Sequence, residues 1–175
     1  MRPSALVAAT LWPLCVCCVR PQRIDPVTLC ESVTVDSTWL PLGLGASLAL
    51  SAPPDMLEAP RTDIGSNTWY TRDLIVQWEE PIPLLSKSLD PFDAYSARLN
   101  DPYRIPASPE CSAPAPNGWA THTFIWKQGK ALIARVFIVP PAPHERAFDL
   151  VVMARRSSAY GDALAILRSL RLSGR

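Results

Sequence analysis

The closing stretch of the chain, Phe148 to Leu172, restricts the fold more than any other. FDLVVMA reads as a buried strand, RRSS as a turn and AYGDALAILRSLRL as an amphipathic helix. Tyr160, Ala163, Leu164, Leu167 and Leu170 recur at the spacing of one helical face. Ser157 or Ser158 is expected to cap the first free N–H groups. Asp162 in the first turn and Arg168 and Arg171 in the last complement the helix dipole, and Gly174 is expected to stop the helix. A helix this short is not stable alone in water, so it requires a sheet to cover.

At 175 residues the chain has the length of one domain, and 48% hydrophobic with 19% charged residues fits a globular protein rather than a disordered one. Nineteen prolines against seven glycines predict long, stiffened connections. A net charge of +1 gives no bulk attraction to nucleic acid or anionic lipid. The charge is unevenly spread: residues 120–175 hold nine Lys/Arg against three Asp/Glu, and the preceding residues hold eight against thirteen. The basic cluster Arg155, Arg156, Arg168 and Arg171 lacks the interleaved aromatics of a single-strand binder, so no nucleic-acid partner is expected. The two halves are expected to neutralise each other across one fold.

Residues 1–18 read as a signal peptide. Fifteen residues without a charge, Ala5 through Val19, follow Arg2, which is too short to span a bilayer and suits an export signal. Cys15, Cys17 and Cys18 close this run as lipidation candidates, because Leu14-Cys15-Val16-Cys17 resembles a lipoprotein box with Val16 in place of Gly or Ala. The expected location is the periplasm, free or lipid-anchored to a membrane of the bacterial envelope. Cys30 and Cys111 remain in the mature chain, and an even pair in an exported domain suggests a disulfide closing a long loop.

Residues 19–38 form a lead-in, with a short strand expected at Ser32–Val35, and residues 39–175 a single α+β domain. Leucines alternate from Leu40 to Leu50 as on one sheet face, with the intervening prolines and glycines indicating an edge strand or a bend with a bulge. Thr68–Trp78 reads as the next strand, halted by Glu79-Glu80-Pro81. Asp90 introduces FDAYSARL as a short mid-chain helix. Asn100–Gly118 holds five prolines and Cys111 and shows no periodicity, which in a compact domain marks a functional or poorly ordered loop. A meander follows: Thr121–Trp126, a hairpin turn at Lys127–Lys130, a central strand Ala131–Val139, a longer turn, and Phe148–Ala154.

Ala131–Val139, Phe148–Ala154 and the terminal ALAILRSLRL, in this order after a lipobox-like start, resemble the PsbP-like α/β/α sandwich of extrinsic photosystem subunits and small envelope lipoproteins. The resemblance implies an antiparallel sheet covered by the C-terminal helix and the short mid-chain helix. It implies a non-enzymatic accessory role and transfers no site residue.

No catalytic constellation emerges. His122 lies on the Phe124/Trp126 face of a strand and His144 in a proline-rich turn, and with Cys111 they lack zinc-ligand spacing, so neither metal nor cofactor is expected. Gly45-Ala46-Ser47 lacks the second glycine of a nucleophile elbow. The adjacent carboxylates Glu79 and Glu80 point to opposite faces of an extended segment. Trp69 and Trp78 fall on opposite faces of one regular strand, so one is expected at the surface unless both belong to ordinary core. The sequence therefore points to an envelope protein that binds a protein partner through the proline-rich loop, with Pro102, Tyr103, Arg104 and Trp119 as candidate contacts. The alternatives are an immunity protein that neutralises a toxin, and an enzyme with an unrecognised site.

Overall fold

Glycine placement and alternating burial divide the chain into short antiparallel strands. The protein is described by a computed structural model covering residues 24–27, 30, 32–45, 47–60, 66–83, 106–141 and 146–173. Among these the order is β1 (Ile24–Pro26), β2 (Leu40–Leu44), β3 (Leu48–Ala52), β4 (Leu57–Glu58), β5 (Ser66–Tyr70), β6 (Leu74–Pro83), β7 (Ala120–Gln128), β8 (Ala131–Val139), β9 (Arg146–Ala154), α1 (Tyr160–Arg168) and β10 (Arg171–Leu172). Seven strands form one sheet in the order β1-β7-β8-β9-β6-β5-β4, and β10-β3-β2 form a second. The class is α+β, with antiparallel sheets and a C-terminal helix. The expected mid-chain helix lies outside the described residues, as do the leader and His144.

The meander β7-β8-β9 follows the sequence pattern. Gly129 takes φ +60°, free of the steric cost a Cβ would bring, and the turn sets Gln128 opposite Ala131. β8 lies between β7 and β9, and apart from Arg135 it is apolar on both faces because a core cluster covers each of them. One face, with Leu132, Ala134, Val136, Leu150 and Val152, packs in a single cluster with Leu164, Ile166 and Leu167 of α1 and Leu44, Leu48 and Leu50 of the small sheet. The opposite face buries Phe124, Trp126, Ile133, Phe137, Val139 and Ala147 in a second cluster.

Two runs form hairpins: Leu40–Leu50, expected as an edge strand or a bend with a bulge, and Thr68–Trp78, expected as one strand. The leucine alternation from Leu40 to Leu50 folds back at Gly45, φ +63°, so that Leu42 faces Leu50 and Leu44 faces Leu48. A three-residue turn preserves the alternation, which is why one strand and one hairpin look alike in sequence. Thr68–Trp78 likewise breaks at Thr71–Asp73, where the Thr71 hydroxyl accepts the Asp73 and Leu74 N–H groups at 3.2 and 3.1 Å. The fold-back brings Trp69 opposite Val76, so Trp69 and Trp78 share one face and both are buried. β6 does not stop at Glu80: its pairing with β9 shifts register between Glu79 and Ile82 and resumes to Pro83.

The lead-in belongs to the fold, but not through the strand expected at Ser32–Val35, where residues 32–36 are irregular. Ile24–Pro26 pairs with β7 instead, and Val27 N–H continues the contact to Ile125 O at 2.8 Å.

The helix is shorter than its pattern. It begins from a 3-10 turn, Ser157–Ala159, with no side-chain cap from Ser157 or Ser158; the Tyr160 N–H bonds Ser157 O instead. It ends at Arg168, well before Gly174. Ser51 N–H donates to Ser169 Oγ at 2.6 Å, and Arg171–Leu172 leaves the helix to pair with Leu48–Ala49. Ladder bonds to β3 thus replace a final helical turn.

Candidate functional site

The second half of the proline-rich stretch, residues 106–118, is irregular yet firmly attached. Ala107 N–H donates to Thr123 O at 2.7 Å and Ala113 N–H to Thr123 Oγ1 at 3.0 Å, while Thr121 Oγ1 donates to Ala113 O at 3.0 Å. Cys111 is fully buried and bonded to Cys30 across a sequence separation of 81, so the expected disulfide forms. The Arg168 guanidinium donates to Glu110 O, which ties the stretch to α1. Pro109, Glu110, Pro114, Ala115 and Asn117 face solvent from this anchored base. The Ser108 hydroxyl, which sits out of hydrogen-bond alignment, then the Glu110 backbone N–H and the Arg168 charge, bias the exposed Glu110 carboxyl below the ordinary glutamate range.

Of the sequence-derived contact residues, Trp119 is half-buried and packs its ring 5.9 Å from Phe148, which stacks on Trp78 at 4.9 Å. Trp119 therefore continues the core outward rather than standing free. Pro102, Tyr103 and Arg104 lie outside the described residues, as do Cys15, Cys17 and Cys18. His122 lies on the face of Phe124 and Trp126, as expected, with its ring 6.5 Å from that of Phe137. The arginines of the C-terminal region have separate tasks. Arg156 Nε lies 3.0 Å from Asp73 Oδ1 as an ion pair out of hydrogen-bond alignment, and Arg171 donates to Ser51 Oγ at 2.9 Å. The Arg156–Asp73 pair joins the basic C-terminal region to the acidic front half.

Beside the disulfide, Val27, Cys30 and Val33 lie over the start of α1. A pocket of about 330 Å³ opens there, lined by these residues with Lys127, Leu132, Ser157, Tyr160, Gly161 and Leu164. Tyr160 OH donates to Lys130 O at 3.1 Å, which fixes the ring as one wall, and Lys127 Nζ lies 5.4 Å over its centroid. The sequence pattern hid this pocket because its outer wall comes from the lead-in; Cys30 is the signal that could have revealed it.

Two further polar groupings lie among the described residues. Asp149 is fully buried in β9 and receives Arg135 Nε at 3.0 and 2.8 Å, with a further contact from the same guanidinium. A second cleft, of about 380 Å³ and also bordered by the start of α1, is lined by Asp36, Asp55, Asp73 and Asp162 with Thr71 and Ser158. Asp36 accepts the Thr38 N–H and hydroxyl, both at 2.8 Å, and these bonds hold its carboxyl below the ordinary aspartate range. Among the described residues no three His, Cys, Asp or Glu side chains converge as metal ligands. Comparison with known protein families and with curated proteins gives no match to this chain.

Proposed function

We propose that this is an exported, non-enzymatic protein of the bacterial envelope that binds a protein partner through the proline-rich segment 100–118. The observation that carries the reading is the anchoring of residues 106–118. A disulfide, bonds to Thr123 and a bond from Arg168 fix the base of the segment, while Pro109, Glu110 and Pro114 remain exposed. A loop held in one conformation loses little entropy on binding, which favours affinity.

The Cys30–Cys111 bond also supports export, since such bonds persist mainly in oxidising compartments. Removal of residues 1–18, with lipidation at Cys15, Cys17 or Cys18, belongs to the same proposal, as does periplasmic or lipid-anchored placement. No helix among the described residues is long and apolar enough to cross a membrane. The PsbP-like sandwich is the proposed architecture, with the mid-chain helix as its second layer.

The test is affinity capture from an envelope fraction, using the intact protein and a variant with Pro102, Tyr103 and Arg104 replaced by alanine. A partner retained by the first and lost by the second supports the reading; identical captures would overturn it. A captured enzyme that loses activity in the complex would identify the protein as an inhibitor.

A further inference from the structure

We infer that the pocket beside the disulfide binds a small amphipathic monoanion, of the class of a medium-chain carboxylate, with its tail on the apolar floor and its head at Lys127. This inference is independent of partner binding. The pocket, about 330 Å³, falls at the small end of the range for ligand sites, and it combines apolar side chains with a few polar groups, as such sites do. Val27, Val33, Leu132 and Leu164 present hydrocarbon, and the Cys30 side of the disulfide is apolar as well.

The polar members are directional. Lys127 is exposed and supplies the positive charge, Ser157 supplies a hydroxyl, and no described lining residue is acidic. Lys127 Nζ lies 5.4 Å over the Tyr160 ring, which is held by its bond to Lys130 O, and so places its charge at the rim of the pocket. Asp25 is the register partner of Lys127 on β1 and shares its side of the ladder, so it opposes an anion there. Gly161 gives the pocket its depth. A Cβ at this position would meet only Val33 Cγ1, at 3.9 Å, another residue of the lining, so the position itself tolerates a side chain.

The occupant follows from this pattern. A neutral hydrocarbon would leave Lys127 unused, and an inorganic anion would leave the floor unused. A carboxylate with a short alkyl chain engages both. Each methylene buried on the floor is worth about fourfold in affinity, so butyrate, hexanoate and octanoate form a graded series.

The test is calorimetric titration of the intact oxidised protein with octanoate, and with octan-1-ol as the neutral control. Octanoate is predicted to bind saturably and roughly fivefold more tightly than octan-1-ol, the ratio expected for one solvent-exposed charge pair. Lys127→Met is predicted to bring octanoate down to the level of octan-1-ol, Asp25→Asn to tighten octanoate binding, and Lys130→Met to change nothing. Gly161→Leu, checked for native thermal unfolding, is predicted to abolish both ligands. Equal binding of the two ligands, octanoate binding unaffected by Lys127→Met, or no saturable binding would overturn the inference.

Discussion

Breaking the Cys30–Cys111 bond is the perturbation whose size the structure specifies best. The bond closes a loop with a sequence separation of 81. The chain-entropy relation for a loop of this length gives about 4.5 kcal/mol of stabilisation at 25 °C. A single domain has only about 5–15 kcal/mol in total, so reduction removes a large share of it. The loss is also local. β1 is three residues long and, apart from its ladder with β7, is secured by the disulfide and by the Val27 N–H bond to Ile125 O. Urea unfolding of the oxidised protein, the reduced protein and the Cys30→Ala/Cys111→Ala variant measures the global term. Amide exchange at Val27, Ala107 and Ala113 measures the local one. Reduced protein and double variant are both expected to lose about 4 kcal/mol, with exchange accelerated at all three amides. A loss below about 1 kcal/mol with unchanged exchange would refute the argument that this bond fastens the lead-in to the sheet.

Asp149→Leu and Arg135→Met each remove one half of the Arg135–Asp149 pair; Arg135→Met, which leaves a fully buried carboxylate without this guanidinium, is expected to cost about 3 kcal/mol, and Asp149→Leu less, because 31% of the Arg135 side chain is exposed. The double variant should recover most of that loss in a denaturant cycle. Leu167→Ala, at a fully buried position between α1 and the sheets, is expected to cost between about 2 and 5 kcal/mol by thermal or urea unfolding. The lowered carboxyl groups of Asp36 and Glu110 stabilise the fold above the unfolded-state carboxylate range, and that contribution disappears as pH falls through their depressed folded values. Asp36→Asn with Glu110→Gln is therefore expected to lessen the fall of stability below about pH 4, measured as the urea midpoint against pH.

The parts of the fold legible in the sequence are those fixed by local rules. Gly129 between two alternating runs gives the β7–β8 hairpin, and Ala131–Val139 reads as central because no face of it is polar enough for solvent. The helix face is legible for the same reason: Ala163, Leu164 and Leu167 are buried. What the sequence conceals is long-range. Arg135 and Asp149 stand out as charges in apolar strands, but their meeting depends on the β8–β9 register, where Phe137 is opposite Asp149. The longer turn between those strands does not fix that register. Arg171 looks helical by periodicity, yet pairing with Ala49 on β3 outweighs one more turn. The pocket requires Val27 and Val33, far from Leu164 in the chain, to be drawn over it by a bond to Cys111.

Intact-mass spectrometry of the chain recovered from a fractionated bacterial host tests the proposal that this is an exported domain closed by a disulfide. The predicted result is a processed chain in the envelope fraction, lacking the leader, with Cys30 and Cys111 refractory to thiol labelling until reduced. A full-length chain in the cytoplasmic fraction, with both cysteines labelled in denaturant without reduction, would contradict it.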